Sequence, residues 1–413
     1  MIARLCITLN LLLCCCLFGQ GNVVTDWATI VQPAVNTPPR LPGIQFILGA
    51  TIQLAVYDAA MAIEGGYQSF TPAISAPMGA DVRAAVATAA FLTARARVDP
   101  SQYAYLDTKY AGYMAGIPAG AAKNDGVQVG QSAANAVIAL RANDGVTDVV
   151  LYQCSSNPPP AGEFEPDGGC GTQPAGANVG HIRPFTFTDA SQFRPDGPDP
   201  MTSGAWVEDF TETRDYGRRD STFRSPEQTD VAYFWQAANT HPAIVSLAVN
   251  RGLNVRDAAR YFAMVYTAAA DANIAGFEAK YFYRFWRPRT AIPRADTDGN
   301  PNTDPDPTWT PLISVNHPEY PSAHSFSSTA LTDTVARFFG TNKVTWTFTA
   351  NRGAIPQLVI TERTYRDVNS LMREIYDARV WAGLHWRHSL LNGAQVGRKV
   401  AKHVCDNFFQ PVR

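Results

Sequence analysis

Apolar positions recur every three to four residues over long stretches of the chain, the spacing of helices that bury one face. Ile44, Ile47, Leu48, Ile52, Ala55 and Val56 set that rhythm over 43–63. The same spacing predicts helices over 81–98, 101–117 and 121–141, which suit one antiparallel bundle. From Asn143 to about Arg224, Gly, Pro, Asp and aromatic residues crowd together and no long period survives, so an extended surface excursion is expected there. Helical spacing returns at Ser225-Pro226-Glu227, where serine suits a cap and proline the first turn. After a break at Gly252 it runs over 255–286, up to Arg287-Pro288. An Asp-, Asn- and Pro-rich loop over 291–320 follows, then helical patterns over 322–339, 367–382 and 389–409. The expectation is an all-α fold without a short internal repeat. It has an N-terminal helical bundle over 22–142, a long loop region over 143–224 and a C-terminal helical bundle over 225–413.

Residues 1–21 stand apart from that scheme. Arg4 precedes an apolar run from Leu5 to Phe18, and Gly19-Gln20-Gly21 follow, which is the layout of a secretory signal peptide. A secreted or periplasmic protein is therefore expected. Without the leader only Cys154, Cys170 and Cys405 remain. The first two bracket a Pro/Gly-rich segment and suit a disulfide in an oxidising compartment. Cys405 sits in a helical pattern, where a buried small side chain is expected. Charged residues make up 17% of the 413 and the net charge is -2, which excludes a disordered chain and a nucleic-acid binder with a broad basic face. Any functional charge has to be local. No later charge-free apolar stretch of ~20 residues stands out, so no membrane span is expected.

Three segments of the last third carry candidate chemistry. In Lys280-Tyr281-Phe282-Tyr283-Arg284-Phe285-Trp286-Arg287-Pro288 the cations Lys280 and Arg287 are seven residues apart, close to two helical turns, so both can leave one helix face. Unpaired among so many aromatic residues they would be costly, and a shared anion removes that cost. In His317-Pro318-Glu319-Tyr320-Pro321-Ser322-Ala323-His324 the prolines keep the chain extended. Ser322 and the first N–H groups of the next helix then form an anion-accepting end, with His324 one turn inside. In Ala378-Arg379-Val380-Trp381-Ala382-Gly383-Leu384-His385 the glycine lets a helix stop, so that His385 can turn back toward the target of Arg379. Capped helices and core histidines explain each segment singly. Together they describe a box for a tetrahedral oxyanion with one nucleophilic or metal-ligating imidazole.

That set resembles the vanadium-dependent haloperoxidases, in the superfamily shared with type 2 phosphatidic acid phosphatases and bacterial acid phosphatases. The superfamily pattern is Lys, six residues, Arg-Pro; Pro-Ser-Gly-His; and Ser-Arg, five residues, His, three residues, Asp. Here it reads Lys280 to Arg287-Pro288, Pro321-Ser322-Ala323-His324, and Ala378-Arg379 through His385 to Ser389. The resemblance implies a vanadate cofactor, replaceable by phosphate. His385 would be its metal ligand, Lys280, Arg287 and Arg379 would hold its oxygens, and the Ser322 hydroxyl and Ala323 N–H would add hydrogen bonds. His324 would be the acid–base group. His317 and Phe277 fall at positions associated with halide choice, and histidine at the first implies bromide and iodide over chloride.

The implied activity is halide oxidation by hydrogen peroxide, giving hypohalous acid and halogenated products of a small organic acceptor. The enzymatic alternative is an acid phosphatase in which His385 attacks phosphorus and His324 protonates the leaving oxygen. A third reading is an extracellular oxyanion-binding protein without catalysis. Ala323 replaces glycine, Ala378 replaces serine, and Ser389 replaces the aspartate that orients the histidine in the phosphatase pattern, which weakens the phosphohistidine reading. Asp58 and Asp271, on otherwise apolar helix faces, are candidates to pair with a site histidine or arginine, or to form an ordinary buried ion pair. The Asp296–Asp306 stretch hints at calcium, but its glycine offset is wrong and no glutamate closes it, so a solvated loop is expected, with Trp309 covering the site entrance.

Overall fold

The computed structural model describes residues 21–412. Apart from Gly21, the expected leader lies outside them. Helices α1 (Val23–Val35), α2 (Pro42–Glu64), α3 (Val82–Arg97), α4 (Tyr103–Ala115) and α5 (Ala121–Leu140) make up the first group. The second comprises α6 (Gly204–Gly217), α7 (Pro226–Ala237), α8 (Thr240–Asn250), α9 (Val255–Tyr283), α10 (Pro288–Ala291), α11 (Ala323–Phe339), α12 (Val368–Trp381) and α13 (Arg387–Asn407). The periodicity located α2, α3, α5, α11 and α12 to within about two residues. It missed α1, which a reciprocal Asn22–Thr25 capping box starts despite Pro33 near its end. It also missed α6, which Ser203 caps inside the supposed excursion. A small antiparallel sheet was likewise not anticipated. Strands β1 (Ala238–Asn239), β2 (Trp346–Ala350) and β3 (Glu362–Tyr365) lie in that order, with Trp346 opposite Tyr365 and Asn239 opposite Thr349. Trp346 and Phe348 bury alternate positions of β2, the period of a strand with one face covered.

One apolar cluster runs through both helical groups, because α9 packs against α2 as well as against α11 and α13. Helix α2 is long and apolar enough to cross a membrane, yet most of it is buried by the protein itself. Close approach of α13 to α11 depends on two glycines. A methyl group at Gly393 would stand 2.8 Å from the Ser322 carbonyl, and one at Gly397 would stand 2.5 Å from the Phe326 carbonyl. That contact brings the start of α11 and the start of α13 together, and the candidate site lies between them.

Asp58 and Asp271 form neither an ion pair nor part of the site. Asp58 on α2 accepts from the main-chain N–H groups of Phe70 and Thr71 and from the Thr71 hydroxyl. Asp271 on α9 accepts in the same way from Phe185, Thr186 and the Thr186 hydroxyl. Each central helix thus pins a Phe-Thr loop with one buried carboxylate, a correspondence between the two groups that no short repeat discloses. Burial raises both carboxyls above their usual range, and the donated hydrogen bonds oppose the shift.

A second cluster holds Trp206, Phe285, Trp286, Trp309, Tyr320 and Trp386. Its members adjoin each of the three motif segments in sequence, so aromatic packing fixes all three at once. Trp309 belongs to this interior, with its indole N–H on the Arg214 carbonyl, and does not cover an entrance. The neighbouring loop is no solvated tether either. Asp298, Asn300 and Thr303 are buried, and Asp298 accepts from the Trp206 indole at 2.9 Å.

Cys154 and Cys170 are joined by a disulfide, and Cys405 is free and partly buried. The cross-linked loop supports the site indirectly. Phe164 donates its N–H to the Arg284 carbonyl at 2.7 Å, and Glu163 pairs with the Arg284 guanidinium. A loop of this size stabilises by ~3 kcal/mol in the chain-entropy account. The double variant C154S/C170S is therefore expected to lose about that much in denaturant unfolding, with an m-value at or above that of the wild type because the unfolded chain is released; a loss below ~0.5 kcal/mol would show the loop to be held by other contacts.

Candidate active site

Lys280, on the last turn of α9, and Arg287 do not share a helix face as the spacing suggested. Helix α9 stops at Tyr283, because Arg284 adopts a left-handed conformation with φ 52° and its N–H returns to the Lys280 carbonyl. Arg287 is reached only after this reversal, as the residue preceding α10. The two cations still converge, on the same stretch of chain. Lys280 Nζ donates to the carbonyls of Pro318 and Glu319 at 2.9 and 2.8 Å. Arg287 donates to the His317 carbonyl at 2.6 Å, the Leu384 carbonyl at 2.7 Å and His317 Nδ1 at 3.0 Å.

Ser322 precedes α11 and Ala323 is its first residue. The Ser322 hydroxyl does not cap the helix; it is buried without a partner, while its N–H donates to the Ser389 carbonyl at 3.1 Å. From the other side, α12 ends at Trp381 and Gly383, with φ 72°, turns the chain back. His385 is thereby buried beside the start of α13, and its carbonyl accepts from the Thr213 hydroxyl at 3.2 Å. Arg379 sends both terminal nitrogens to Gln236 Oε1, at 3.3 and 3.2 Å, and its Nε has no partner.

Lys280, Arg287 and Arg379 are at most 1% exposed, and the hydrogen-bond partners just named are neutral. Burial, with Arg287 and Arg379 nearby, pushes Lys280 well below its usual range. Burial lowers Arg287 to about 10, while burial and Arg287 together lower Arg379 to about 9. The same causes push His385 well below the normal histidine range. It is neutral at pH 7, and its Nδ1 bonds to Glu319 Oε1 at 2.6 Å. With the Nδ1 proton on that bond, the Nε2 lone pair is free to act as ligand or nucleophile. His324, only partly buried, is lowered by burial and by Arg379. It is the less completely buried of the two histidines.

Three buried cations, an orphaned serine hydroxyl and a helix N-terminus around a neutral imidazole form a receptor for a multiply charged tetrahedral oxyanion. Residues 260–413 match the family described as VCPO second helical-bundle domain. This region belongs to the vanadium haloperoxidase family. A vanadium chloroperoxidase from Curvularia inaequalis is 28% identical over 188 residues, which cover 38% of the chain but only 30% of that relative's length. The fold is shared more widely. A bacterial vanadium-dependent iodoperoxidase superposes with TM-score 0.77 over 95% of this chain and 97% of its own at 18% identity. A holo-type bacterial vanadium-dependent chloroperoxidase does so with TM-score 0.72 over 94% and 97% at 16% identity.

Within this haloperoxidase domain the structure brings together Lys280, Arg287, Ser322, Ala323, His324, Arg379 and His385. His317 and Phe277 lie beside them, with ring centroids 5.5 Å apart, and His317 Nδ1 accepts from Arg287. Two residues were missed. Glu319 sits inside a quoted motif, and only its burial between the two cation-bearing segments reveals its role. Gln236 comes from the end of α7, far away in sequence, and no local signal points to it.

Proposed function

We propose that the chain is an exported vanadium-dependent haloperoxidase, catalysing H2O2 + X⁻ + H⁺ → HOX + H2O and so halogenating small organic acceptors. What carries the reading is the cluster of Lys280, Arg287 and Arg379, three buried cations with neutral partners around His385. Vanadate fits this donor set. The cations and the Ser322 hydroxyl match its oxygens in charge and hydrogen-bonding sense, the Ala323 N–H adds a donor, and neutral His385 offers Nε2 as ligand. Bound vanadate supplies a Lewis-acidic centre that makes hydrogen peroxide electrophilic. The chain's own residues hold the charge, exclude water and move protons. Lys280 is a point charge whose two carbonyl partners hold it in place. His324, more exposed, is placed to take a proton from incoming peroxide and to return one to the departing oxygen. His317 beside Phe277 supports oxidation of iodide and bromide ahead of chloride. The leader and the disulfide both suit an exported protein.

A phosphomonoesterase is the second reading, and one observation favours it: the carboxylate missing at Ser389 is supplied by Glu319, so a nucleophilic His385 has its partner after all. Peroxide-dependent bromination by vanadate-loaded and vanadate-free protein, assayed beside aryl phosphate hydrolysis, separates the readings. Vanadate-dependent bromination that phosphate inhibits is expected, with kcat/KM falling from iodide to bromide to chloride. Phosphate hydrolysis inhibited by vanadate would replace the first reading by the second. Failure of both, despite tight anion binding, would leave a binding protein.

A further inference from the structure

In the superfamily pattern an aspartate four residues after the site histidine orients it, and here that position is Ser389. His385 is nevertheless held at Nδ1 by a carboxylate from another element. Glu319 Oε1 lies 2.6 Å from Nδ1 and also accepts the Trp386 N–H at 3.2 Å. Its backbone is fixed from two sides: the N–H donates to the Phe285 carbonyl at 2.9 Å, and the carbonyl accepts from Lys280 Nζ at 2.8 Å. Glu319 is fully buried, and its Oε2 finds no donor in good geometry. Burial raises the Glu319 carboxyl to about 7, against Lys280, Arg287 and the adjoining, equally buried Ser389 hydroxyl, which favour its charged form.

We propose that Glu319 is the positioning residue of His385, doing from the loop ahead of α11 what an aspartate at 389 does in the related phosphatase pattern. The inference rests on the reading that His385 Nε2 meets the oxyanion. A carboxylate that accepts the Nδ1 proton fixes the tautomer with a free Nε2 and holds the ring plane. The crowding carries a further consequence. Position 389 adjoins Glu319, so an aspartate there would place two carboxylates in one buried space, where both cannot ionise. Serine at 389 and glutamate at 319 are thus two halves of one solution. Lys280 ties in as well, since its contact with the Glu319 carbonyl links the cation that faces the anion to the residue that aims the histidine.

The tautomer is read by nitrogen NMR of 15N-histidine-labelled, anion-free protein, with the His385 signals assigned by their loss in H385A. Binding is read by calorimetry with orthovanadate and, separately, with inorganic phosphate. The wild type is expected to show the Nδ1–H form, and E319A a mixture dominated by Nε2–H, with both anions bound ~10- to 100-fold more weakly. S389D is expected to weaken binding in the wild-type background and to restore at least ~10-fold of it in the E319A background. That reversal of sign is not what a merely structural residue produces. E319Q keeps the shape, covers the case of an unfolded E319A, and is expected to weaken vanadate binding at least ~10-fold. An unchanged tautomer with unchanged affinities in E319Q or E319A overturns the proposal, as does additive harm from S389D and E319A. If the wild type itself binds neither anion, the oxyanion reading fails, while the tautomer still decides whether Glu319 positions the ring.

Discussion

Replacing His385 with alanine abolishes peroxide-dependent halide oxidation, with a loss on the order of 10³ or more expected because the residue acts as one member of a unit. His385 is the buried neutral imidazole of the pocket whose Nδ1 is already committed, to Glu319. The variant keeps Lys280, Arg287 and Arg379, and their partners are main-chain carbonyls, His317 and Gln236, none of which involves the missing ring. The local backbone also keeps its anchor from Thr213. Anion binding is therefore expected to weaken but persist, while halide oxidation and phosphate hydrolysis both vanish. Assays of the two activities beside phosphate calorimetry check this. Full retention of either activity in H385A sinks the assignment of the site.

Much of this pocket was legible because its residues lie in three short segments whose internal spacing survives whatever the fold does between them. Lys280 and Arg287 were found this way even though the helix supposed to carry both stops at Tyr283. The convergence was readable and the route was not, since nothing in Tyr283-Arg284-Phe285 announces a left-handed arginine. Single residues without a motif were harder. Asp58 and Asp271 look like ion-pair partners on an apolar helix, and only the returning Phe-Thr loops give them donors. Gln236 reaches Arg379 across 143 residues. Helix α6 was hidden by the Gly- and Pro-rich sequence around it. By contrast, the alternation of Trp346, Thr347 and Phe348 was readable as a strand and was overlooked among helical periods.

Arg379→Met is expected to make the anion-free protein more stable while it cripples anion binding. The Arg379 guanidinium is fully buried, its terminal nitrogens meet a carboxamide oxygen at 3.2 to 3.3 Å, and its Nε donates to nothing. Burial and Arg287 both act against its charge, which is why its pKa is pushed down to about 9. Exchanging a buried charge for an apolar side chain of similar length is commonly neutral to stabilising, so a gain of ~1 to 2 kcal/mol is expected in denaturant unfolding without added anion. In the presence of anion the balance shifts. A bound oxyanion stabilises the wild type by about 2.7 kcal/mol at a hundred times its dissociation constant. Loss of a charged, two-pronged donor costs on the order of 1.5 to 3 kcal/mol of binding, roughly 10- to 150-fold in Kd. R379M should therefore unfold later than the wild type in anion-free buffer and keep only about 0.3 to 1.4 kcal/mol of the anion-induced increment at that concentration, so it unfolds earlier in phosphate or vanadate wherever the lost increment exceeds the gain. R379K keeps the charge without the fork and should fall between them in affinity while gaining none of the stability. If R379M is destabilised without anion and keeps the full anion-induced increment, Arg379 is a structural residue and the pocket is built around the other two cations. The crossing of the two unfolding curves would instead show that the site's positive charge is held against the stability of the fold and is balanced by the oxyanion it receives.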